Sequence, residues 1–235
     1  MTNQAVILAG GKGTRLGDLT KDTPKPMLKI KDKFFLEYII EYLFQNKIDE
    51  IIIVAGYLGN MIYNQFHEKI YKKKLKIKVI LEPKPLGTGG FIREFNTILK
   101  DKFFLINGDT IFNVELDKLT MNLGNSQAII ALKKVKLNSR YGNVILNKKN
   151  EIIKFENKKD NEKEALINGG VYLIRRSIVN QIHKTPISIE KDVFPMLTSN
   201  KNLKGHVFKN FFIDIGIEND LIFAQRKVPN IIKFS

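Results

Sequence analysis

The stretch QAVILAGGKGTRLGDLTKDTPKPML, residues 4–28, decides how the fold begins. The apolar run at residues 5–9 predicts a buried strand, and it breaks at once into a glycine-rich turn. Three glycines within positions 10–13 leave backbone N–H groups without side chains in front of them. Because such a turn after a strand can wrap phosphate oxygens, the stretch predicts a phosphate-binding loop. A glycine-rich turn without a ligand is the alternative.

Two common phosphate loops do not match this turn. The Walker pattern G-x-x-x-x-G-K-[ST] is absent from the stretch. The dinucleotide pattern G-x-G-x-x-G begins well with Gly11 and Gly13, but Leu16 occupies the position of its third glycine. The sequence therefore disfavours both a kinase-type and an NAD-type site.

Lys25 stands between Pro24 and Pro26, shortly after the glycines. The two prolines fix their own φ angles and predict an extended backbone at Lys25. A lysine held in this way supplies a point charge for a phosphoryl group, and Arg15 in the glycine turn adds a second cation. A surface lysine in a turn is the alternative for Lys25.

Apolar runs alternate with helical patterns in the first half of the chain, which predicts βαβ units and a mainly parallel sheet. In the second half strands predominate, which predicts antiparallel additions. We expect an α/β fold with a Rossmann-like mixed sheet flanked by helices, in a single domain of residues 1–235. The predicted strands are 5–9, 50–55, 76–81, 103–106, 127–135, 143–146, 151–155, 170–174 and 211–216. The predicted helices are 34–44, 61–71, 90–100, 176–183, 189–197 and 218–226, with a polar loop at 157–165.

Acidic residues lie close to several predicted strand ends, where such sheets bind ligands. Asp109 follows the apolar run at 103–106, and Asp214 lies inside the apolar FFIDIGI. Mg²⁺ beside phosphates takes one or two carboxylates, so the two aspartates predict one shared ion. An aspartate that only caps a turn is the alternative for each. Glu82 precedes the helix opened by LGTGG, and a carboxylate can accept the N1–H and N2–H₂ donors of guanine.

The composition narrows the function classes. The chain has 235 residues, 43% of them hydrophobic, and no cysteine, which excludes disulfides and thiol catalysis. We see neither a signal peptide nor a transmembrane run and expect a soluble cytoplasmic protein. The net charge of +15 comes almost entirely from scattered lysines, with only six arginines. This pattern favours a solvated basic surface, and we expect neither nucleic-acid nor membrane binding.

The motifs GGKGTRL, PKPM, LGTGG, NGD, FENK, NGGVY, EKDVF and DIG occur in this order along nearly the whole chain. Together they resemble the sugar-1-phosphate nucleotidylyltransferases. The segments FFLEYI, LGTGG and FFIDIG are most similar to those of the D-glycero-α-D-manno-heptose 1-phosphate guanylyltransferases in that family. The resemblance implies an EC 2.7.7 enzyme that uses Mg²⁺ to join GTP and the heptose 1-phosphate into GDP-heptose and diphosphate. It also implies a role in making surface polysaccharide such as capsule, S-layer or LPS.

The resemblance also implies roles for individual residues. Residues 1–125 would form the nucleotide-binding half and residues 126–235 the sugar-phosphate half. Catalysis would rest on Arg15, Lys25 and Asp109, with Mg²⁺ held by Asp109 and Asp214. The nucleotide would contact Ala9, Gly10, Gly11, Gly13, Thr14, Arg15, Lys25, Glu82, Pro85, Leu86, Gly87, Thr88 and Gly108. The sugar phosphate would contact Asn107, Gly142, Lys158, Asn168, Gly169 and Glu190.

One departure and several alternatives remain open. The family usually shows F-x-E-K, but this chain has Asn157 in place of the glutamate, which leaves sugar identity open. Mannose 1-phosphate with GTP, or glucose 1-phosphate with dTTP or UTP, would use the same frame. A non-catalytic nucleotide-binding regulatory subunit is an alternative of another class. Homo-oligomerisation is also left open.

Overall fold

The structure, a computed structural model, describes residues 2–136, 142–156 and 164–234. The strands are β1 Gln4–Ala9, β2 Lys29–Ile30, β3 Lys33–Phe34, β4 Glu50–Ala55, β5 Lys69–Tyr71, β6 Leu75–Leu81, β7 Lys102–Asn107, β8 Thr110–Phe112, β9 Ala128–Lys136, β10 Asn143–Leu146, β11 Ile152–Glu156, β12 Glu164–Arg175, β13 Leu203–Phe208 and β14 Phe212–Asp214. The α-helices are α1 Phe35–Gln45, α2 Gly59–Phe66, α3 Gly87–Glu94, α4 Leu116–Leu123, α5 Phe194–Ser199 and α6 Glu218–Ile231. Among the described helices, none is long and apolar enough to cross a membrane.

The chain divides into two compact units, each built from separated stretches. The first, here called the glycine-loop unit, comprises Thr2–Pro85, Leu105–Asn113 and Phe211–Ser235. The second, here called the Thr88 unit, comprises Leu86–Phe104 and Val114–Asn210. Strand β7 contributes its first half to the Thr88 unit and its second half to the glycine-loop unit.

The sheet of the glycine-loop unit has the strand order β7-β1-β4-β6-β5. Strands β1, β4 and β6 are parallel, whereas β5 runs antiparallel to β6. The last five residues of β4 are buried, and β1 is buried except at Leu8. Such continuous apolar runs are typical of strands covered on both faces, which is why the sequence marks them clearly.

The sheet of the Thr88 unit has the order β13-β9-β12-β7 and mixes strand directions. Strand β9 pairs in parallel with β13 and antiparallel with β12. The β9–β12 register shifts between Asn168 and Tyr172, which marks a β-bulge at the Asn-Gly-Gly sequence. The mainly parallel sheet with flanking helices and antiparallel additions confirms the expected fold class.

Several predicted element boundaries are wrong. The helix predicted over 61–71 ends at Phe66, and Lys69–Tyr71 form a strand that turns back into β6. Lys72 and Lys73 adopt positive φ in this turn, a conformation that a lysine sequence does not signal. The helix predicted over 90–100 begins at Gly87, and the residues predicted over 176–183 form a 3₁₀ turn. Helix α4 and the strands β8 and β13 escaped the prediction.

A buried carboxylate fixes the β5–β6 turn against α1. Glu41 is completely buried, and it accepts hydrogen bonds from Lys72 Nζ at 2.7 Å, Tyr71 Oη at 2.5 Å and Gln45 Nε2 at 3.0 Å. Burial alone raises the pKa of Glu41, but these hydrogen bonds and the Lys72 charge outweigh it, so the net pKa is lowered. Burial raises the pKa of Tyr71, and the hydrogen bond to the Glu41 carboxylate raises it further.

Replacing Glu41 by glutamine is expected to lower the free energy of unfolding by about 2 kcal/mol at neutral pH, because charge-assisted hydrogen bonds are lost. The folded pKa lies below the ordinary value of 4.5, so the contribution is present above that pH. The deficit should therefore shrink as the pH falls below it. Urea unfolding at pH 7 and near pH 3.5 measures this. The exposed Glu68→Gln is the control, and a pH-independent deficit would contradict the ionised state of Glu41.

Candidate active site

The carboxyl ends of β1, β4 and β6 meet around one carboxylate. Glu82 follows β6, and its Oε2 lies 2.7 Å from the point that a Cβ of Gly10 would occupy. The same atom lies 2.7 Å from the corresponding point of Gly56, directly after β4. A side chain at either glycine would overlap the carboxylate. Two glycines from different strand ends therefore make the space in which the half-buried Glu82 lies.

The glycine loop, residues 10–13, continues into a 3₁₀ turn over Thr14–Thr20. A side chain of the turn itself stabilises this path. Gly13 precedes this turn with φ +67, a value that favours glycine. Buried Thr20 donates a hydrogen bond to the Gly13 carbonyl at 3.0 Å, and the Gly17 carbonyl lies 3.2 Å from the same hydroxyl. The loop thus keeps a fixed path while Arg15 stays exposed on it.

Lys25 reaches from a second turn towards the end of β7. It is the first residue of a 3₁₀ turn over Lys25–Met27, so the extended backbone predicted from its flanking prolines is wrong. Its Nζ lies 2.8 Å from Asp109 Oδ2, and Lys25 itself is buried. The Lys25 Cε lies only 3.2 Å from the point where a Cβ of Gly13 would be. The glycine therefore leaves the path of the lysine side chain open.

Asp109 and Asp214 are brought to the same small ladder. Gly108 donates its N–H to the Leu8 carbonyl at 2.9 Å, and a Cβ on Gly108 would lie 2.5 Å from that oxygen. This close approach sets the position of Asp109 beside the end of β1. Strands β8 and β14 then pair antiparallel with Asp214 opposite Thr110, and Ile215 N–H donates to the Asp109 carbonyl at 3.0 Å.

The donor set of this ladder fits a hard cation. Two carboxylates from neighbouring chain segments match the one or two that Mg²⁺ takes when phosphates and water supply its other ligands. Within the described ranges no group of three or more His, Cys, Asp or Glu side chains could hold a metal. A site for a metal bound by protein ligands alone is therefore not formed by these residues.

Tyr57 is a loop contact that the sequence analysis missed. Its backbone N–H donates to the Gly10 carbonyl at 3.3 Å, and its hydroxyl donates to the Lys21 carbonyl at 2.7 Å. Tyr57 therefore binds the chain at both ends of the glycine loop and its following turn, at Gly10 and at Lys21. The position of Tyr57 directly after the Gly56 strand end was the available signal.

In the Thr88 unit, the LGTGG segment is joined to the residues around Glu190. Gly87 opens α3 with φ +73. The Thr88 hydroxyl donates to Glu190 Oε2 at 2.7 Å and accepts from the Ile189 N–H at 2.9 Å. Glu190 lies in a single π-helical turn over Ile189–Val193, an irregularity frequent at functional sites. Two residues that were assigned to different substrates are therefore in direct contact.

Asn168 is the last β12 residue paired with β9 before the bulge, opposite Leu132. Its Oδ1 accepts from the Gly170 N–H at 3.0 Å, and its Nδ2 donates to the buried Tyr172 hydroxyl at 3.0 Å. Gly170 adopts φ +70, and β-bulges are over-represented beside active sites. The side chain of Asn168 is thus held at a defined place next to Gly169.

The other predicted site residues occupy these same loops and strand ends. Lys158 and Asn157 lie outside the described residues. Gly142 comes just before β10, where a Cβ would lie 3.2 Å from the Glu156 carbonyl. The remaining positions are Ala9 and Asn107 as the last residues of β1 and β7, the exposed Gly11, Thr14 and Pro85, and the buried Leu86 before α3.

Comparisons with known proteins identify the family of the chain. The Nucleotidyl transferase family matches residues 4–230. The D-glycero-α-D-manno-heptose 1-phosphate guanylyltransferase of Campylobacter jejuni is 41% identical, over 92% of this chain and 96% of its own. That of Aneurinibacillus thermoaerophilus is 36% identical, over 97% and 100%. The crystal structure of HddC from Yersinia pseudotuberculosis has a TM-score of 0.85 at 32% identity, covering 96% of this chain and 99% of its own. Its complex with GMP-PN has a TM-score of 0.83. The chain therefore belongs to the nucleotidyl transferase family.

Proposed function

We propose that the chain is a Mg²⁺-dependent guanylyltransferase that converts GTP and D-glycero-α-D-manno-heptose 1-phosphate into GDP-heptose and diphosphate. The named activity of the two relatives supports the substrate pair. The observation that carries the proposal in this chain is the pairing of Lys25 with Asp109 beside the glycine loop. We place the reaction in the cytoplasm, where GTP is available, and its product in the synthesis of surface polysaccharide.

The glycine loop and its cations provide the triphosphate site in this proposal. Exposed backbone N–H groups at Gly11 and Gly13 and the side chain of Arg15 bind the phosphate oxygens. Lys25 neutralises the α-phosphate while the sugar phosphate oxygen attacks it and diphosphate leaves in line. The reaction requires no protein nucleophile, so positioning of two polyanions and electrostatic stabilisation carry the catalysis.

Asp109 and Asp214 hold the divalent ion in this proposal. Mg²⁺ held there would supply positive charge that stabilises the negative charge developing on the phosphates. Asp109 Oδ2 also lies 2.8 Å from Lys25 Nζ. In this proposal the Lys25 ammonium serves the α-phosphate and the Asp109 carboxylate serves the divalent ion. Their ion pair keeps both side chains beside the glycine loop.

Glu82 supplies the base preference in this proposal. Its carboxylate lies beside Gly10 and Gly56 at the strand ends, where a flat base can approach the backbone. A carboxylate offers two oxygen acceptors, which match the N1–H and N2–H₂ donors of guanine. Adenine lacks that pair of donors, so GTP is favoured over ATP.

The second substrate has its own set of residues in this proposal. The sugar phosphate is bound by Lys158, and the sugar by Asn168, Gly169 and Glu190.

A diphosphate-release screen tests the substrate pair. GTP, ITP, ATP, CTP, UTP and dTTP are each combined with the heptose 1-phosphate, mannose 1-phosphate and glucose 1-phosphate in the presence of Mg²⁺. We expect the highest kcat/KM for GTP with the heptose 1-phosphate, and a lower value for ITP because it lacks the N2 amino group. Mass spectrometry of the product identifies GDP-heptose. Turnover confined to dTTP or UTP would overturn the guanine assignment.

Replacing Tyr57 by phenylalanine is expected to raise the KM for GTP about fivefold, because a typical hydrogen bond contributes about 1 kcal/mol. The Lys21 carbonyl loses its donor, and the glycine loop loses one of its two attachments to Tyr57. Steady-state kinetics with varied GTP measures the effect, and Tyr63→Phe on the surface of α2 is the matched control. Equal KM values for the wild type and Tyr57→Phe would show that the hydrogen bond from Tyr57 to Lys21 does not affect GTP binding by the loop.

A further inference from the structure

The hydroxyl of Thr88 is fully committed as a donor inside the protein. It carries one hydrogen, which it donates to Glu190 Oε2 at 2.7 Å. A distance this short to a carboxylate is typical of a charge-assisted hydrogen bond. The same oxygen accepts the Ile189 N–H at 2.9 Å. To donate to a ribose or a base, Thr88 would have to give up its bond to Glu190.

The backbone around Thr88 is joined to the same segment on both sides. Ile187 N–H donates to the Leu86 carbonyl at 3.0 Å, and Gly89 N–H donates to the Ile187 carbonyl at 2.9 Å. A Cβ on Gly87 would lie 2.4 Å from that Ile187 carbonyl oxygen. The start of α3 and the segment leading to Glu190 therefore have little freedom to move apart.

The Glu190 carboxylate is held through one of its oxygens. Thr88 and Ser188 both donate to Oε2, at 2.7 Å and 3.2 Å. No residue in the described part of the chain donates to Oε1. The side chain thus keeps one oxygen that can accept a hydrogen from a sugar hydroxyl.

We propose that Thr88 is a positioning residue for Glu190: it fixes Oε2 so that Oε1 is presented to a hydroxyl of the sugar 1-phosphate. This inference rests on the proposed function, in which Glu190 contacts the sugar. The LGTGG motif assigns Thr88 to the nucleotide, whereas this inference assigns it to binding of the sugar 1-phosphate. Without the Thr88 hydroxyl, Glu190 keeps only the longer bond from Ser188 and samples other rotamers.

The test compares Thr88→Val, which keeps the shape but removes the hydroxyl, with Thr88→Ser, which keeps the hydroxyl. We expect Thr88→Val to raise the KM for the sugar 1-phosphate about tenfold, with the KM for GTP within twofold of the wild type. Thr88→Ser should restore most of the sugar affinity. The exposed Thr97→Val in the same unit is the matched control.

Monodeoxy analogues of the sugar 1-phosphate give a second readout that a merely structural role would not move. The wild type should lose affinity for the analogue that lacks the hydroxyl bound by Glu190, and this difference should shrink in Thr88→Val. Calorimetric titration measures it without turnover. If Thr88→Val does not fold, Ser188→Ala removes the other donor and should give a smaller change of the same kind.

Two results would overturn the inference. One is a rise in the KM for GTP equal to or larger than that for the sugar 1-phosphate, which would return Thr88 to the nucleotide. The other is an unchanged KM for both substrates. The sugar used is whichever one the wild type turns over in the screen, so a failure of the heptose assignment leaves this test intact.

Discussion

Lys25→Ala is expected to lower kcat by about 10²- to 10³-fold, the usual cost of removing a group aimed at charge that develops in a transition state. The α-phosphate would lose its cation while the glycine loop still binds the rest of the triphosphate. The fold should remain intact, because the Asp109 side chain is 31% exposed and is not left as a buried unpaired charge. Diphosphate release measures the rate, and thermal unfolding measures the stability.

Two further variants sharpen the Lys25 test. Lys29→Ala removes an exposed lysine four residues away and should leave kcat unchanged. Lys25→Arg keeps the charge, but the larger guanidinium must pass Gly13, where the lysine Cε already lies 3.2 Å from the point that a Cβ would occupy. We expect partial activity from it. Near-normal diphosphate release by Lys25→Ala would remove Lys25 from the mechanism.

Asp109→Asn and Asp214→Asn are each expected to lower activity about 100-fold and to raise the Mg²⁺ concentration needed for half-maximal rate. Asparagine has almost the same size as aspartate, but it lacks the negative charge that attracts the ion. Both positions are fixed by backbone pairing, Asp214 opposite Thr110 and Asp109 by its carbonyl on Ile215 N–H, so the local structure should persist. Initial rates over a range of Mg²⁺ concentrations measure the effect.

The control for the aspartate pair is Asp32→Asn, because that side chain is 80% exposed and lies outside the site. Asp109→Asn also weakens the pair with Lys25, so it should reduce kcat more than Asp214→Asn does at saturating Mg²⁺. An unchanged Mg²⁺ dependence in both variants would refute the shared ion.

The strand ends were predictable because each of them breaks a buried apolar run with glycine or a carboxylate. Gly10 after β1 and Gly108 after β7 are visible in this way, and the structure gives a steric reason for each glycine. The family could also be predicted, because eight short motifs occur in one order. These features could be predicted because each depends on a few residues that are adjacent in the sequence.

Other features depend on contacts that no local pattern carries. Tyr57 lies 36 residues from the Lys21 carbonyl that it binds, and Glu41 lies 31 residues from Lys72. The turn after β5 uses lysines at positive φ, so it carries neither glycine nor asparagine to announce it. Thr88 has the same difficulty, because its motif suggests a nucleotide contact and its partner Glu190 lies 102 residues further on.

The three-stretch construction of the glycine-loop unit affects the order in which the chain can mature during synthesis. Its first stretch, Thr2–Pro85, carries the glycine loop and Lys25 and is synthesised before the other two. Asp214 belongs to the last stretch, Phe211–Ser235, and is synthesised more than a hundred residues after Asp109. Domains fold as units once their parts have been made, so the two aspartates can meet only after the last stretch has been synthesised. A nascent chain stalled before residue 211 would carry the phosphate loop but lack half of the proposed cation site.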